Sequence, residues 1–443
     1  MWIARYDGPD HGEDRLAGLV TDTAGNCWVS GYSFGDTTDF DFATLRVSPQ
    51  GKTIWTRRFG SPLKSEDRSW CLCRDSAGSI ITAGGSIADY GVGWDFLLIK
   101  YDPAGDQVWL RRYDSPFHSD DKPVAIAVGP EDCLYIAGFS KHKPSRESPR
   151  ADCDVSLVKY SARGDTLWTR FYNGRAGRDD GAVGVAVDRA GNCYVAAKLT
   201  NRTPVTDIAL LKYRTDGSLA WSRDIDGPGH SSDLPAAILL SDPPLAPRSS
   251  PRIYLVGSVT GAGTSFDYCA SCFDTAGSLL WQQTYDGAGR VDVAAAACVD
   301  SAGNLLVTGQ STGRASSVDV ATVKYAPSGK QLWVRRYNGR RNGADRGTCI
   351  AAGSQGRVIV GGSSVGATGF PDMVLLGYSP KGDTLWTFTL SGTGPGEARP
   401  VVILPVPAQS PLVAHQSSFL VAGYENNTGT GFDYVLMLLE PSR

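Results

Sequence analysis

Eight tryptophans recur in one local context, at positions 2, 55, 109, 168, 221, 281, 333 and 386, spaced by 53, 54, 59, 53, 60, 52 and 53 residues. The surrounding text repeats with them, as in Trp109-Leu-Arg-Arg-Tyr-Asp, Trp168-Thr-Arg-Phe-Tyr-Asn-Gly and Trp333-Val-Arg-Arg-Tyr-Asn-Gly. Fourteen residues before each of the last seven stands an aspartate: Asp41, Asp95, Asp154, Asp207, Asp267, Asp319 and Asp372. An eighth, Asp433, opens the segment Asp-Tyr-Val-Leu-Met-Leu-Leu near the end of the chain. Eleven or twelve residues after every tryptophan comes an acid: Asp14, Asp67, Asp121, Asp180, Asp233, Asp292, Asp345 and Glu397. Three independent marks agree on eight units. A fixed period in this range signals a repeat architecture, in which each unit buries its apolar face against its neighbours. The 443 residues would otherwise suggest about three domains.

Each unit reads as four short strands. In the fourth, Ala182-Val-Gly-Val-Ala-Val-Asp188 is followed by the turn Arg189 to Asn192 and by Cys193-Tyr-Val-Ala-Ala. Asp207-Ile-Ala-Leu-Leu-Lys-Tyr213 comes next, and a last strand starts near Ala220-Trp221. Alternation with β-branched and aromatic residues predicts strands, and Gly/Asn/Asp clusters predict hairpins. This explains why glycine reaches 52 residues, about 12 % against the usual ~7 %. First strands are rich in small residues, such as Val293-Ala-Ala-Ala-Ala-Cys-Val299, which suits crowding around a central axis. Fourth strands carry arginines after the tryptophan, such as Arg57, Arg58, Arg111, Arg112, Arg335 and Arg336, and charge protects an outer edge from aggregation. The pattern predicts an all-β, eight-bladed β-propeller of four-stranded antiparallel blades.

The two ends complement each other. The last unit has strands one to three (Pro400–Leu404, Phe419–Gly423, Asp433–Leu439) and lacks a fourth, while Trp2-Ile-Ala-Arg-Tyr6 is a spare fourth strand. Joining them closes the ring. One propeller domain therefore spans 1–443, with blades at about 9–60, 61–114, 115–173, 174–227, 228–286, 287–338, 339–391, and 392–443 plus 1–8. A closed ring is expected to be a monomer.

The unit Asp-x5-Tyr, Gly, Trp-x-Arg-x-Tyr, followed by an Ala-Val-Asp-x-Ala-Gly-Asn-x-Tyr-Val-x-Gly type segment, resembles the bacterial SBBP β-propeller repeat over essentially the whole chain. That family is named for seven blades, and this sequence departs from it with eight. The resemblance implies an extracytoplasmic or cell-surface bacterial protein and supplies no catalytic residues. The spacing Tyr101-x3-Gly105-x3-Trp109 also resembles the tryptophan-docking repeat of eight-bladed quinoprotein dehydrogenases and their non-enzymatic relatives. The vicinal Cys–Cys pair of some quinoprotein sites is absent here.

In a propeller, the loops entering strands one and three share one face. Both acid sets lie there, at the starts of those strands. Repetition in every blade favours a blade-building role, each aspartate accepting N–H bonds in its own turn; structural calcium held by paired carboxylates is the functional alternative. The tryptophans are read in the same way, as blade packing. Departures from the repeat are better guides to binding. His11, His118 and His230 occupy one equivalent position, three residues before Asp14, Asp121 and Asp233. They stand too far apart around the ring to share a metal, and separate His–Asp contacts are expected. Lys141, Lys143 and Arg146 lie on a basic insertion running from Lys141 to Arg150, and Arg175, Arg178, Arg340 and Arg341 add cations on other loops. These residues are the candidates for binding an anionic sugar or acidic partner. Two Pro-rich insertions, Ser241–Arg252 and Pro405–His415, decorate the opposite face.

A net charge of −3 gives no footprint for nucleic acid, and no apolar run approaches a membrane span. Met1 is followed at once by Trp2-Ile3-Ala4-Arg5-Tyr6, without a leader pattern, so the residues leave the compartment open. The ten cysteines fall mostly at apolar strand positions and read as buried thiols. Cys269 and Cys272, three apart on a strand, face opposite ways and cannot chelate one ion. No nucleophile elbow, P-loop, dinucleotide fingerprint or HExxH motif is present. The expectation is a non-enzymatic propeller presenting loops to protein or carbohydrate ligands, with no catalytic residues and no resident cofactor. The alternative is a propeller enzyme, a quinoprotein-like oxidoreductase or a hydrolase or lyase, with its site on the loop face near the channel.

Overall fold

The computed structural model describes residues 1–35, 39–61, 65–87, 93–142, 151–202, 205–241, 251–263, 265–313, 317–406 and 418–439. Eight four-stranded antiparallel sheets follow one another along the chain, each pairing its strands in sequence order. In blade one these are Asp14–Thr21, Cys27–Phe34, Phe40–Val47 and Thr53–Phe59. The exception in sequence order is the closing blade. There Trp2–Tyr6 pairs with Gly431–Leu439, Trp2 opposite Leu438 and Tyr6 opposite Tyr434, so one chain end supplies the fourth strand of a blade begun at the other. The structure is an eight-bladed β-propeller.

First strands of successive blades contact one another round the whole ring, which places the small-residue strands innermost. Every first strand carries a bulge at one equivalent place, between Leu16 and Gly18 in blade one and between Ala294 and Ala296 in blade six. An extra unpaired residue bends the strand and increases its twist, which the tight inner radius requires. The hydrophobic residues gather into layers between blades, not into one central core. Leu19, Val29 and Leu45 of blade one pack with Leu420, Tyr434 and Leu436 of blade eight, and the same occurs at each of the other junctions.

The repeated tryptophan and arginine lock neighbouring blades. Trp2, Trp109 and Trp333 donate their indole N–H to the carbonyls of Pro49, Ala162 and Pro380 in the next blade, at 2.8, 3.3 and 3.1 Å. Arg57, Arg111 and Arg170 donate to Gly105, Gly164 and Gly217 at 2.7, 2.9 and 2.7 Å. Gly105 sits at φ +92°, and a Cβ there would stand 2.9 Å from the Trp55 ring. Glycine is needed at that turn for its backbone and for the approach of the indole. The cysteines are free thiols. Cys269 lies in the layer between blades four and five and Cys272 in the layer between five and six. No helix among the described residues is long and apolar enough to cross a membrane.

Candidate functional site on the loop face

The first-strand aspartates close the loops that enter their blades. Asp14, Asp67, Asp121, Asp233, Asp292 and Asp345 accept the backbone N–H of Gly8, Ser61, Ser115, Gly227, Gly287 and Gly339 at 2.5–2.7 Å. Asp180 does the same with Gly174. The two remaining oxygens of Asp180 and Asp233 accept Thr200 N–H at 2.7 Å and Thr260 N–H at 2.8 Å. All seven side chains are buried. Burial disfavours the charged form, and it raises the carboxyls of Asp14, Asp180 and Asp233 to about 6. Glu397 departs from this ring. It is half-buried and accepts the Tyr424 hydroxyl at 2.9 Å, and its loop is held instead by Asn427 and the carbonyl of Asn426.

Asp41, Asp95, Asp154, Asp207, Asp319 and Asp433 each meet a donor from their own blade, but the donor varies. Asp41 and Asp319 pair with Arg58 and Arg336 at 2.9 and 2.8 Å, and Asp95 with Arg112 at 3.7 Å. In blades three and four, where Phe171 and Asp224 stand in place of the arginine, His142 reaches Asp154 at 2.8 Å and Asn201 reaches Asp207 at 2.9 Å. In blade eight the arginine, Arg5, pairs with Glu425 at 2.5 Å, and Asn427 reaches Asp433 at 2.9 Å. Asp267 opens the equivalent strand of blade five. His142, stacked on Phe117 with centroids 3.5 Å apart, was not singled out by the sequence, because only the fold brings it against Asp154.

His11, His118 and His230 stay separate, at alternate blade junctions. Their acid partners differ from those the spacing predicts. Each ring meets the carboxylate four residues before it: Asp7 at 2.5 Å, Asp114 at 2.6 Å and Asp226 at 2.7 Å. The cause is local. All three histidines take left-handed φ values of 52, 47 and 46°, which turn the side chain back over its own loop, while Asp14, Asp121 and Asp233 are already held by backbone N–H groups. The partner Asp7 raises the His11 pKa above its ordinary value.

These extra aspartates build clusters between blades. Asp7, Asp14 and Asp433 converge at the closing junction, and Asp95, Asp114 and Asp121, Asp207, Asp226 and Asp233, and Asp267, Asp286 and Asp292 converge at three others, one ligand atom of each residue lying within 4.8 Å of the others. At the closing junction the Oδ2 atoms of all three carboxylates are engaged by His11, Gly8 and Asn427. Their Oδ1 atoms are buried without a donor among the described residues. Such a donor set suits a hard cation that takes oxygen ligands.

The basic candidates do not form one site. Lys141 pairs with Asp120 at 3.5 Å and Arg175 with Asp224 at 3.7 Å, Arg178 is half-exposed between blades three and four, and Lys143 and Arg146 lie outside the described residues. So do 242–250 and 407–415 of the two Pro-rich insertions. Arg340 and Arg341 are different. Both are exposed, neither makes an ion pair among the described residues, and both line a cavity of about 440 Å³ between blades six and seven. Its other walls include Tyr337, Ser364, Asp372 and Thr389. A concave site with a few convergent polar groups is the form binding sites take.

No protein-family model matches the chain. No curated protein matches it in sequence. Among solved structures, the WD40 domain of SCAP from fission yeast is similar with a TM-score of 0.48 at 9 % identity, covering 98 % of this chain and 94 % of that one. Drosophila Plexin A, solved in complex with Semaphorin 1b, is similar with a TM-score of 0.46 at 10 % identity, covering 99 % of this chain and 87 % of that one. These likenesses concern the fold alone.

Proposed function

We propose that this propeller is a non-enzymatic binding protein that takes a protein ligand on its loop face, at the cleft between blades six and seven. The observation that carries the proposal is the pair Arg340 and Arg341, exposed and without ion pairs among the described residues, at the rim of a polar cavity of about 440 Å³. Guanidinium groups bind carboxylates bidentately, so the ligand presents acidic side chains or a chain terminus to the rim. The loop-face aspartates support a scaffold reading, since the first-strand carboxyls from Asp14 to Asp345 are taken up by backbone N–H groups of their own loops. The repeat text supports placing the chain with SBBP-type propellers. Affinity capture with wild-type protein and with Arg340→Glu/Arg341→Glu tests the proposal. A partner retained by wild-type and lost by the double variant is expected, and a partner retained equally by both would refute the site.

Structural calcium is proposed for the closing junction, where Asp7, Asp14 and Asp433 each leave a buried Oδ1 without a donor among the described residues. Calcium should raise the melting temperature of the wild-type protein and leave that of Asp433→Asn unchanged. A wild-type melting curve identical in calcium and in chelator would exclude it.

A further inference from the structure

The same cleft has a floor that the other blades explain. In blade one, the Arg58 guanidinium donates to the Asp41 carboxylate at 2.9 Å, to the Ser33 hydroxyl, to the carbonyls of Ser33 and Phe34 at 3.1 and 3.2 Å, and to the Tyr6 hydroxyl of the preceding blade at 3.1 Å. Blade six repeats the arrangement. Arg336 donates to Asp319 at 2.8 Å, to the Ser311 carbonyl at 2.9 Å and hydroxyl, and to Tyr285 at 3.3 Å. Blade seven keeps every acceptor at the equivalent position. Ser364 stands eight residues before Asp372, as Ser33 stands before Asp41, and Tyr337 follows Trp333 by four, as Tyr6 follows Trp2. The arginine alone is replaced. Seventeen residues after Asp372, where Arg58 follows Asp41 and Arg336 follows Asp319, the chain has Thr389.

A threonine ends several bonds short of an arginine, so it cannot reach the acceptors. The asparagine that meets the aspartate in blades four and eight is missing too. Asn201 and Asn427 stand six residues before their aspartates and bond to them, and the corresponding residue in blade seven is Gly366. Asp372 consequently makes no ion pair among the described residues. Tyr337, Ser364, Val365, Asp372 and Thr389 all line the cavity. The space that holds a guanidinium inside blades one and six is open to the loop face in blade seven.

We propose that this slot binds a guanidinium group from outside the chain, an arginine side chain of the protein ligand. The guanidinium is planar and carries five N–H donors in a fixed fork. The acceptor set that satisfies such a fork within this protein is left unfilled here. Arg340 and Arg341, at the rim, place a carboxylate beside the bound arginine. The inference rests on the loop-face reading above for the identity of the ligand as a protein, but the slot itself is tested separately.

The probes are methylguanidinium, Nα-acetyl-arginine amide, Nα-acetyl-arginine with its free carboxylate, and Nα-acetyl-lysine amide, titrated into the intact protein and followed by calorimetry or by NMR. Methylguanidinium and both arginine derivatives should bind, and the lysine derivative should bind at least tenfold more weakly. Thr389→Arg restores the residue of blades one and six, so it should fill the slot from within, raise the melting temperature and abolish binding of every probe. Asp372→Asn should weaken binding at least tenfold with the fold intact. Arg340→Ala/Arg341→Ala should affect only Nα-acetyl-arginine, the probe with a carboxylate. Equal binding of methylguanidinium to wild-type and Thr389→Arg protein would overturn the slot, as would equal binding of the lysine and arginine amides. Binding lost in Thr389→Arg but no preference for the free carboxylate would retain the slot and remove the role of the rim.

Discussion

Truncating Trp2 to alanine tests how the ring is held shut. The Trp2 indole is half-buried, packs on the layer between blades eight and one, and donates to the Pro49 carbonyl at 2.8 Å. Full burial of an aromatic side chain is worth about 3–5 kcal/mol on truncation, so a half-buried indole is worth about 2. The hydrogen bond adds about 1 kcal/mol. A loss of about 3 kcal/mol, spread over an unfolding entropy of ~2 cal/mol/K per residue, lowers the melting temperature by only about 3 °C. The local effect is much larger. Trp168 makes the equivalent contact, donating to Thr215 at 3.1 Å, but its strand Thr166–Tyr172 is joined to the rest of its blade by continuous chain. Trp2–Tyr6 is held to the rest of blade eight only by its backbone ladder with Gly431–Leu439 and by side-chain packing, so detachment of this strand opens the ring. Native-state hydrogen exchange of Tyr434 to Leu438, which pair with Trp2 to Tyr6, should therefore accelerate by about 10²-fold in Trp2→Ala, the equivalent of 3 kcal/mol. In Trp168→Ala the same amides should change by less than tenfold. Equal acceleration in the two variants would refute the argument that this junction is the weakest seam of the ring.

Other expectations follow from local chemistry. The carboxyls of Asp14, Asp180 and Asp233 are raised to about 6 by burial, above the unfolded value of about 3.9. The folded state then binds protons more tightly than the unfolded one, so stability is gained as pH falls through 6 towards 4 and lost as pH rises through 6. The melting temperature should rise from pH 7 to pH 5, and the triple variant Asp14→Asn/Asp180→Asn/Asp233→Asn should flatten that slope; a flat wild-type profile would contradict it. The His11 resonances should titrate above those of the Asp7→Asn variant, because Asp7 is the chief cause of the raised pKa, and identical titration curves would refute the Asp7 contact. Gly105→Ala combines a φ of +92° with a Cβ 2.9 Å from the Trp55 ring, whereas Gly177, at φ +56°, has open space around it. Denaturant unfolding should show a loss of about 2 kcal/mol or more for the first and about 1 kcal/mol for Gly177→Ala; equal losses would show that the indole yields.

The repeat was legible because each blade solves the same local problem with the same residues. Trp109, Gly164 and Arg111 recur because an indole, a turn of positive φ and a guanidinium reaching a carbonyl meet at five junctions, through Arg57, Arg111, Arg170, Arg223 and Arg335. The bulges of the first strands were not legible. A bulge is a slip between two paired strands, and nothing in Leu16-Ala17-Gly18 announces it without the partner strand. The histidines illustrate the same division. Their shared position was visible in the text, but the spacing pointed to Asp14, Asp121 and Asp233. The left-handed backbone turned them to Asp7, Asp114 and Asp226 instead.

The cleft shows the division most clearly. Arg340 and Arg341 could be picked out as charges on a loop, but that reading describes no cavity. Its walls come from Tyr337 of blade six and from Ser364, Asp372 and Thr389 of blade seven, residues separated by up to 52 positions in the chain. The sequence alone determined the number of blades, the order of their strands and the closure of the ring, since these depend on periodic patterns that each unit carries within itself. Only the tertiary structure decided which acid meets which donor and where an acceptor set is left open, because hydrogen bonding depends on the positions of atoms contributed by neighbouring blades.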